Sequence, residues 1–266
     1  MKRFSTLFAS IVLAASLPLH AASIVTAERA FQQQDYDKAL NELKPLVRDG
    51  DPDAIYLMGL MFRDGLGQAA DKAQALTYFE LAARQGHLDS VTAMRGIKNE
   101  AYKVEFDELL PKAEQGVASA QNRIGEMYEF AQGVPRDLNK AYEWYSKAAA
   151  QDLVAGWHNV ARCYNFGNGV ELNYAKAEAL YRKAANAGFA DSMFFLGTLY
   201  ATYHGSDDSV NPDILAYAWM HSASERGSLT ASTIEKRLLM KLNDQEQENA
   251  KKLATAFVGR FVKPFE

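Results

Sequence analysis

Residues 120–149 read AQNRIGEMYEFAQGVPRDLNKAYEWYSKAA, and residues 156–185 read GWHNVARCYNFGNGVELNYAKAEALYRKAA. Laid over one another at a shift of 36 residues, Ile124 meets Val160, Gly125 meets Ala161, and Tyr128 meets Tyr164. Gly133-Val134 meets Gly169-Val170, Ala141 meets Ala177, and Tyr145 meets Tyr181. Lys147-Ala148-Ala149 meets Lys183-Ala184-Ala185. One further step brings Leu196, Gly197, Tyr200 and Gly205 into register; the next helix (Ala216, Trp219, Ala223, Gly227) then lags by three residues, which places an insertion in Ser206 to Asn211. Self-similarity at a fixed period of this length marks a repeat array.

Working outward, a shift of 66 residues also matches the chain to itself. Tyr36 meets Tyr102, Leu43 meets Leu109, Pro45 meets Pro111, Gly59 meets Gly125, Gly67 meets Gly133 and Asp71 meets Asp137. A short unit followed by a long one is therefore present twice. The proline of each short unit predicts a kink or a restart in its second helix.

Each long unit spells an antiparallel helical hairpin. Its first helix has apolar residues at spacings of three and four, as at Ile124, Met127 and Tyr128. Gly125, with Gly59, Ala161 and Gly197 at the same position, removes a side chain where two helices should touch, and Ala148-Ala149 is expected to supply the opposing small surface. Gln132-Gly133-Val134-Pro135 is a turn, and Asp137 is placed to cap the second helix, which carries Ala141, Trp144, Tyr145 and Ala148 on one face. One hairpin cannot bury that face alone, whereas a stack of them can. At the end of the chain, Ser228 to Lys241 is expected to form one helix, and Asn243 with Glu246 forms a capping-box pair opening another from Asp244. The expectation is an all-α solenoid of antiparallel helix-turn-helix repeats closed by a C-terminal capping helix.

Composition sets the outer limits. The 266 residues are 48% hydrophobic and 23% charged, with a net charge of −4 and no basic run, which weighs against nucleic-acid binding. Lys2 and Arg3 precede a largely apolar stretch from Phe4 to Leu19, followed by Ala21, Ala22 and Ser23. This pattern predicts a secretory signal peptide over residues 1–21, cleaved after Ala21 or Ala22, and so a periplasmic or secreted protein of a Gram-negative bacterium, with no membrane insertion after cleavage. Cys163 is the sole cysteine, so packing rather than disulfides must hold the fold.

Reactive chemistry finds little support in the residues. Cys163 aligns with Met61, Met127 and Leu199, all core types, and reads as a buried inert thiol. His87, His158, His204 and His221 lack the spacing of a zinc site, no catalytic motif is present, and no cofactor or metal is expected. The stretch from Asp207 to Asp213 lacks the glycine and glutamate of a calcium loop and reads as a helix start, with Asn211 as N-cap and Pro212 at the first position. Trp144, Trp157 and Trp219 fall at repeated positions and read as core.

These residues resemble the Sel-one-like repeat family, relatives of the tetratricopeptide repeats. The carriers are the turn Asn165-Phe166-Gly167-Asn168-Gly169-Val170, the second helix from Lys140 to Ala149, and Arg63-Asp64-Gly65-Leu66-Gly67, a further copy of the turn. The resemblance implies a right-handed superhelix with a concave groove and a non-catalytic scaffold or adaptor role, binding a protein or peptide. It places a short unit at 22–52, the array at 53–227 with a second short unit at about 89–117, and capping helices at 228–266. By the same resemblance the groove would be lined by Tyr56, Leu60 and Arg63, by Asn122, Glu126 and Glu129, by His158, Arg162 and Asn165, and by Phe194 and Thr198. Glu178, on the second helix of the third unit, would lie off that face. Two other readings are a β-lactam-binding or weakly hydrolysing enzyme, whose relatives carry paired cysteines that this chain lacks, and a binder of cell-wall glycan.

Overall fold

The computed structural model describes residues 23–265, and the expected signal peptide lies outside the described residues. Among these residues the regular structure is entirely helical. The four long units are hairpins: α3 (Pro52–Asp64) with α4 (Lys72–Arg84), α6 (Ala118–Phe130) with α7 (Leu138–Ala149), α8 (Val154–Phe166) with α9 (Tyr174–Asn186), and α10 (Ala190–Ala201) with α11 (Pro212–Glu225). A shorter hairpin, α1 (Ile24–Gln32) and α2 (Tyr36–Asp49), precedes them. One long helix, α5 (Leu88–Glu114), lies between the first and second long units, and α12 (Leu229–Leu239) and α13 (Asp244–Phe261) close the chain. The chain divides into two compact units, one ending at Lys98 and one beginning at Asn99. The fold is an α-solenoid.

The turns follow their residues. Asp71, Asp137 and Asn173 each accept a hydrogen bond from the backbone N–H three residues on, at 2.9, 3.0 and 2.9 Å, and so cap α4, α7 and α9. Gly169 has φ +71°, and a Cβ there would stand 2.0 Å from the Leu138 carbonyl oxygen. Gly133, one repeat earlier, lies against the backbone of Tyr102 and Lys103 in the same way. The turn glycine is therefore where these hairpins seat on the backbone of a preceding helix, the start of α7 for Gly169 and the middle of α5 for Gly133, and only a residue without a side chain fits.

The glycine inside the first helix works differently from the expectation. A Cβ on Gly125 would meet the Tyr145 ring at 2.6 Å, and one on Gly59 would meet the Phe79 ring at 2.5 Å. The missing side chain makes room for an aromatic ring rather than for an alanine pair. Ala148-Ala149 instead receives the next hairpin, since a Cβ on Gly156 would stand 2.7 Å from the Ala149 nitrogen. Ile124, Met127, Ala141, Tyr145 and Ala148 are buried, each of the larger ones contributing roughly 1.5–3 kcal/mol.

Neither proline interrupts its helix: Pro45 lies inside α2 and Pro111 inside α5. The second short unit also lacks the expected hairpin. In the first copy, Gln34 takes φ +61° and Asp35 caps α2. Their counterparts are Glu100 and Ala101, which offer no turn conformer and no cap, and α5 runs straight through.

In the first unit the core gathers Ala27, Ala39, Leu43, Ala54 and Met61, with a second cluster around Phe79 and Ile97. In the second unit the largest cluster lies at the C-terminal end, around Tyr181, Met193, Leu196, Tyr200, Trp219 and Phe261. Trp219 is buried, whereas Trp144 and Trp157 are half-buried. The expected capping box is present, with Asn243 accepting from the Glu246 N–H and the Glu246 side chain accepting from the Asn243 N–H. No helix among the described residues is long and apolar enough to cross a membrane.

Candidate partner-binding face

The first helices of the second and third long units, α6 and α8, lie in the second unit and carry six of the expected groove residues. Two side-chain pairs, Glu129 with Arg162 and Asn122 with Asn159, join across them. Glu129 accepts from Arg162 Nη2 at 2.7 Å and from the Tyr145 hydroxyl at 2.7 Å. Arg162 Nη1 also reaches Asn159 Oδ1 at 3.3 Å, and Asn159 Nδ2 donates to Asn122 Oδ1 at 2.9 Å. Asn122 Nδ2 donates to Glu126 Oε1 at 2.9 Å, and Arg123 ties Glu126 to Glu105 on α5. The result is one continuous ladder of amide and ion-pair contacts from Glu105 to Tyr145.

Several expected groove residues are consumed by this ladder or by the core. Asn122, Glu129, His158 and Asn165 are all buried, and Glu126, Arg162 and Phe194 are half-buried. His158 sits among Tyr181, Phe189 and Phe195 at ring centroid distances of 5.0–5.6 Å, and shares a 2.9 Å hydrogen bond with Ser192. Burial, with the Arg162 charge second, pushes the imidazole down to about 3. A neutral, enclosed ring of this kind is a packing element, and it does not present itself to a partner. Glu178, expected to lie off the face, is buried as well. It accepts from the Tyr200 hydroxyl at 2.5 Å, the Ser206 amide at 2.7 Å and Arg182 at 2.9 Å. Burial alone would raise its carboxyl, but these three donors hold it below the ordinary glutamate value.

In the first unit, the Tyr56 ring meets that of His87 in a tilted contact at 4.5 Å between centroids, and Leu60 packs in the cluster around Phe79. Burial raises the Tyr56 phenol. Arg63 pairs with its neighbour Asp64 at 2.6 Å.

The most open apolar groups on the α6 and α8 side escaped the sequence reading. Phe130 and Phe166 end α6 and α8 one repeat apart, and their side chains are 55% and 53% exposed. Arg162 lies over the Phe130 ring at 5.9 Å, and Phe166 meets Phe195 edge-on at 6.0 Å. A shallow cavity of about 230 Å³ opens beside Phe166, lined also by Asn165, Tyr174, Thr198, Thr202 and His204. The signal available in the sequence was the register itself: two phenylalanines 36 residues apart at a helix end, where the core does not require them.

Cys163 is buried, and burial followed by the Glu129 charge pushes its thiol up to about 12, so it holds its proton at neutral pH. The stretch from Asp207 to Asp213 starts α11 as expected: Asn211 accepts from the Asp213 N–H at 2.9 Å, with Pro212 at the first turn. Among the described residues no cluster of histidine, cysteine or acidic side chains has the geometry of a metal site.

Comparison with known proteins agrees with this architecture. Sel1 repeats are matched at residues 52–87, 118–153, 158–189 and 190–228, together more than half of the chain. A crystal structure of c5321, a protective antigen of uropathogenic Escherichia coli displaying an SLR fold, superposes over 91% of this chain and 53% of that one. Its TM-score is 0.55 and its identity 24%. A Sel1 repeat protein from Oxalobacter formigenes aligns over 88% of this chain and 99% of its own, at TM-score 0.47 and 20% identity. Among curated proteins, the chitin synthase regulator SKT5 of Malassezia restricta is 28% identical over 127 residues, which are 43% of this chain and 8% of that protein. The chain thus spans about half of the E. coli structure and a small fraction of the fungal regulator. Proteins built from these repeats typically serve as protein-interaction scaffolds. With its hairpins, turn glycines and helix caps in register with the four matched segments, this chain belongs to the Sel1 repeat family.

Proposed function

We propose that the protein is an exported, non-catalytic adaptor that binds a protein or peptide on the side formed by α6, α8 and α10. The observation that carries this reading is the pair Phe130 and Phe166. They are large, exposed and in repeat register, on a scaffold whose neighbouring polar groups are already tied to one another. A partner that laid apolar side chains against these rings would bury area without first breaking the ladder. The cavity beside Phe166 gives such a side chain a place to enter. The groove positions Glu126, Arg162, Phe194 and Thr198, each half-buried, supply the rim. Export rests on the amino-terminal pattern read above, which predicts release into the periplasm or the medium, and the partner is then a protein of the envelope.

Photo-crosslinking in a native envelope tests this reading, with the probe placed at Phe166 and, as control, at exposed Glu143 on α7. A discrete adduct from position 166 alone supports a partner on the first-helix side. Equal adducts at both positions, or none, refute it.

A further inference from the structure

The end of the array carries a second surface of different chemistry. Helix α12 buries Ala231 and Leu238 against the rest of the fold and packs on α11. Its opposite face bears Leu229, Thr230, Thr233, Lys236, Arg237 and Met240, all exposed. At 100° per residue these six fall within one arc of the helix, with Leu229 and Met240 three turns apart and nearly in line. Leu229 is 85% exposed and Met240 is 83% exposed. No acid shares this face. The helix's only carboxylate, Glu235, is turned to the side, where it meets His221 Nδ1 at 2.9 Å. Among the described residues no carboxylate stands within ion-pair distance of Lys236 or Arg237, whereas the adjacent Lys241 does pair, with Asp213 at 3.5 Å.

Three observations say what covers such a face. First, among the described residues α12 is the last helix in the stack, because α13 turns back onto α11 and reaches α9 instead of continuing beyond α12. The uncovered side of α12 is therefore the side on which a following helix would pack. Second, the face is mixed. Two apolar anchors flanked by threonines and cations match a facing helix with a narrow apolar seam, and they are too few to hold a bilayer surface. Third, the charge is one-sided. From Arg226 onward the chain has 8 basic and 5 acidic residues, against 19 basic and 28 acidic between residues 23 and 225. A basic terminus selects an acidic occupant and repels the basic terminus of another copy. We infer that α12 docks an acidic amphipathic helix of a partner protein, which extends the helix stack by one member and pairs its carboxylates with Lys236 and Arg237.

The test uses the full chain and two designed helical peptides of about 18 residues. Each has leucines along one seam, flanked by glutamates in one peptide and by lysines in the other. Fluorescence anisotropy at low salt reads the affinity of each. The glutamate peptide is expected to bind about tenfold more tightly than the lysine peptide, and K236E/R237E to reverse that order. Leu229→Ser with Met240→Ser is expected to weaken the glutamate peptide by about tenfold or more. All four side chains are exposed, so circular dichroism should show these variants folded. Phe166→Ala, which leaves α12 intact, should leave this affinity unchanged, so failure here and failure of the first-helix side are separable. Equal affinity for the two peptides, or binding to neither, overturns the proposal. Binding to phosphatidylglycerol vesicles that K236E/R237E abolishes overturns it in favour of an anionic lipid surface. Self-association in sedimentation equilibrium that the same variant abolishes overturns it in favour of a second copy.

Discussion

Removing the Glu129 carboxylate should destabilise the second unit by about 1.5–4 kcal/mol, divided between the Tyr145 hydroxyl and Arg162. The Tyr145 hydroxyl is fully buried and donates to Glu129 at 2.7 Å. Glu129→Ala leaves this hydroxyl without an acceptor, which costs about 1–3 kcal/mol. Arg162 loses its ion pair too, but its side chain is 22% exposed and retains Asn159, so it can turn to water; that loss adds only about 0.5–1 kcal/mol. Tyr145→Phe removes the donor and leaves Glu129 with both Arg162 contacts, so it should cost only about 1 kcal/mol. The double variant then has no stranded hydroxyl, and its loss should fall short of additive by about 1–2 kcal/mol. Urea unfolding followed by far-ultraviolet circular dichroism reads all three as shifts in midpoint at a common slope. A Glu129→Ala variant within about 0.5 kcal/mol of the parent, or strict additivity in the double variant, would refute the account of a buried acceptor serving Tyr145.

Three further outcomes follow from other sites. His158 is held down to about 3, so the folded form binds no proton between that value and the ordinary value near 6.5; the stability it contributes is complete above about pH 6.5 and is lost as pH falls through that window. His158→Gln, which can still bond Ser192, should flatten the difference in stability between pH 7 and pH 4 by roughly 2–3 kcal/mol, and an unchanged pH profile would refute the assignment. Gly167→Ala, where a Cβ finds no neighbour closer than 3.6 Å, should cost about 1 kcal/mol, and Gly169→Ala, where it strikes the Leu138 carbonyl, should cost several; equal thermal shifts would show that the second turn yields freely. Cys163 should resist iodoacetamide in the native protein and react on unfolding, and mass spectrometry of a native sample labelled within minutes would contradict its burial.

The architecture was legible because repetition multiplies weak signals. One Asp before an apolar run is a poor helix start, but Asp71, Asp137 and Asn173 at one register position are three readings of the same cap. What the register could not supply was the content of each contact. Gly125 was readable as a place of close approach, but whether alanines or a ring approached depended on packing, and the Tyr145 ring is what fills the space. Helix α5 was misread for a related reason. Pro111 and Leu109 preserve the short unit's pattern, while the loss of an N-cap at Ala101 decides that no turn forms. The first-helix face was only half readable. Its residues lie on α6 and α8, yet Asn122, Glu129 and His158 bond or pack within the protein, and sequence alone does not distinguish a polar group awaiting a partner from one already satisfied.

One joint between hairpins shows how the array changes its chemistry without changing its geometry. At successive 36-residue steps the paired positions are Phe106 with Tyr128, Tyr142 with Tyr164, and Glu178 with Tyr200. The first pair meets edge-on through its rings at 5.6 Å, and the second joins hydroxyl to hydroxyl at 2.9 Å. The third replaces the ring with a carboxylate. That change coincides with the three-residue insertion between α10 and α11. Glu178 uses its second oxygen to hold the Ser206 amide, and Tyr200 accepts from the Asp207 amide at 3.3 Å. Neither a phenylalanine nor a tyrosine at position 178 offers two acceptor oxygens, so the longer loop would lose its anchor. The buried carboxylate is thus the local cost of an insertion, met by Tyr200, Arg182 and the loop's own backbone. It also fixes the loop next to His204 and Thr202, which line the cavity beside Phe166. Loosening Glu178 should therefore reshape the rim of the proposed partner face while leaving the stack of hairpins in place.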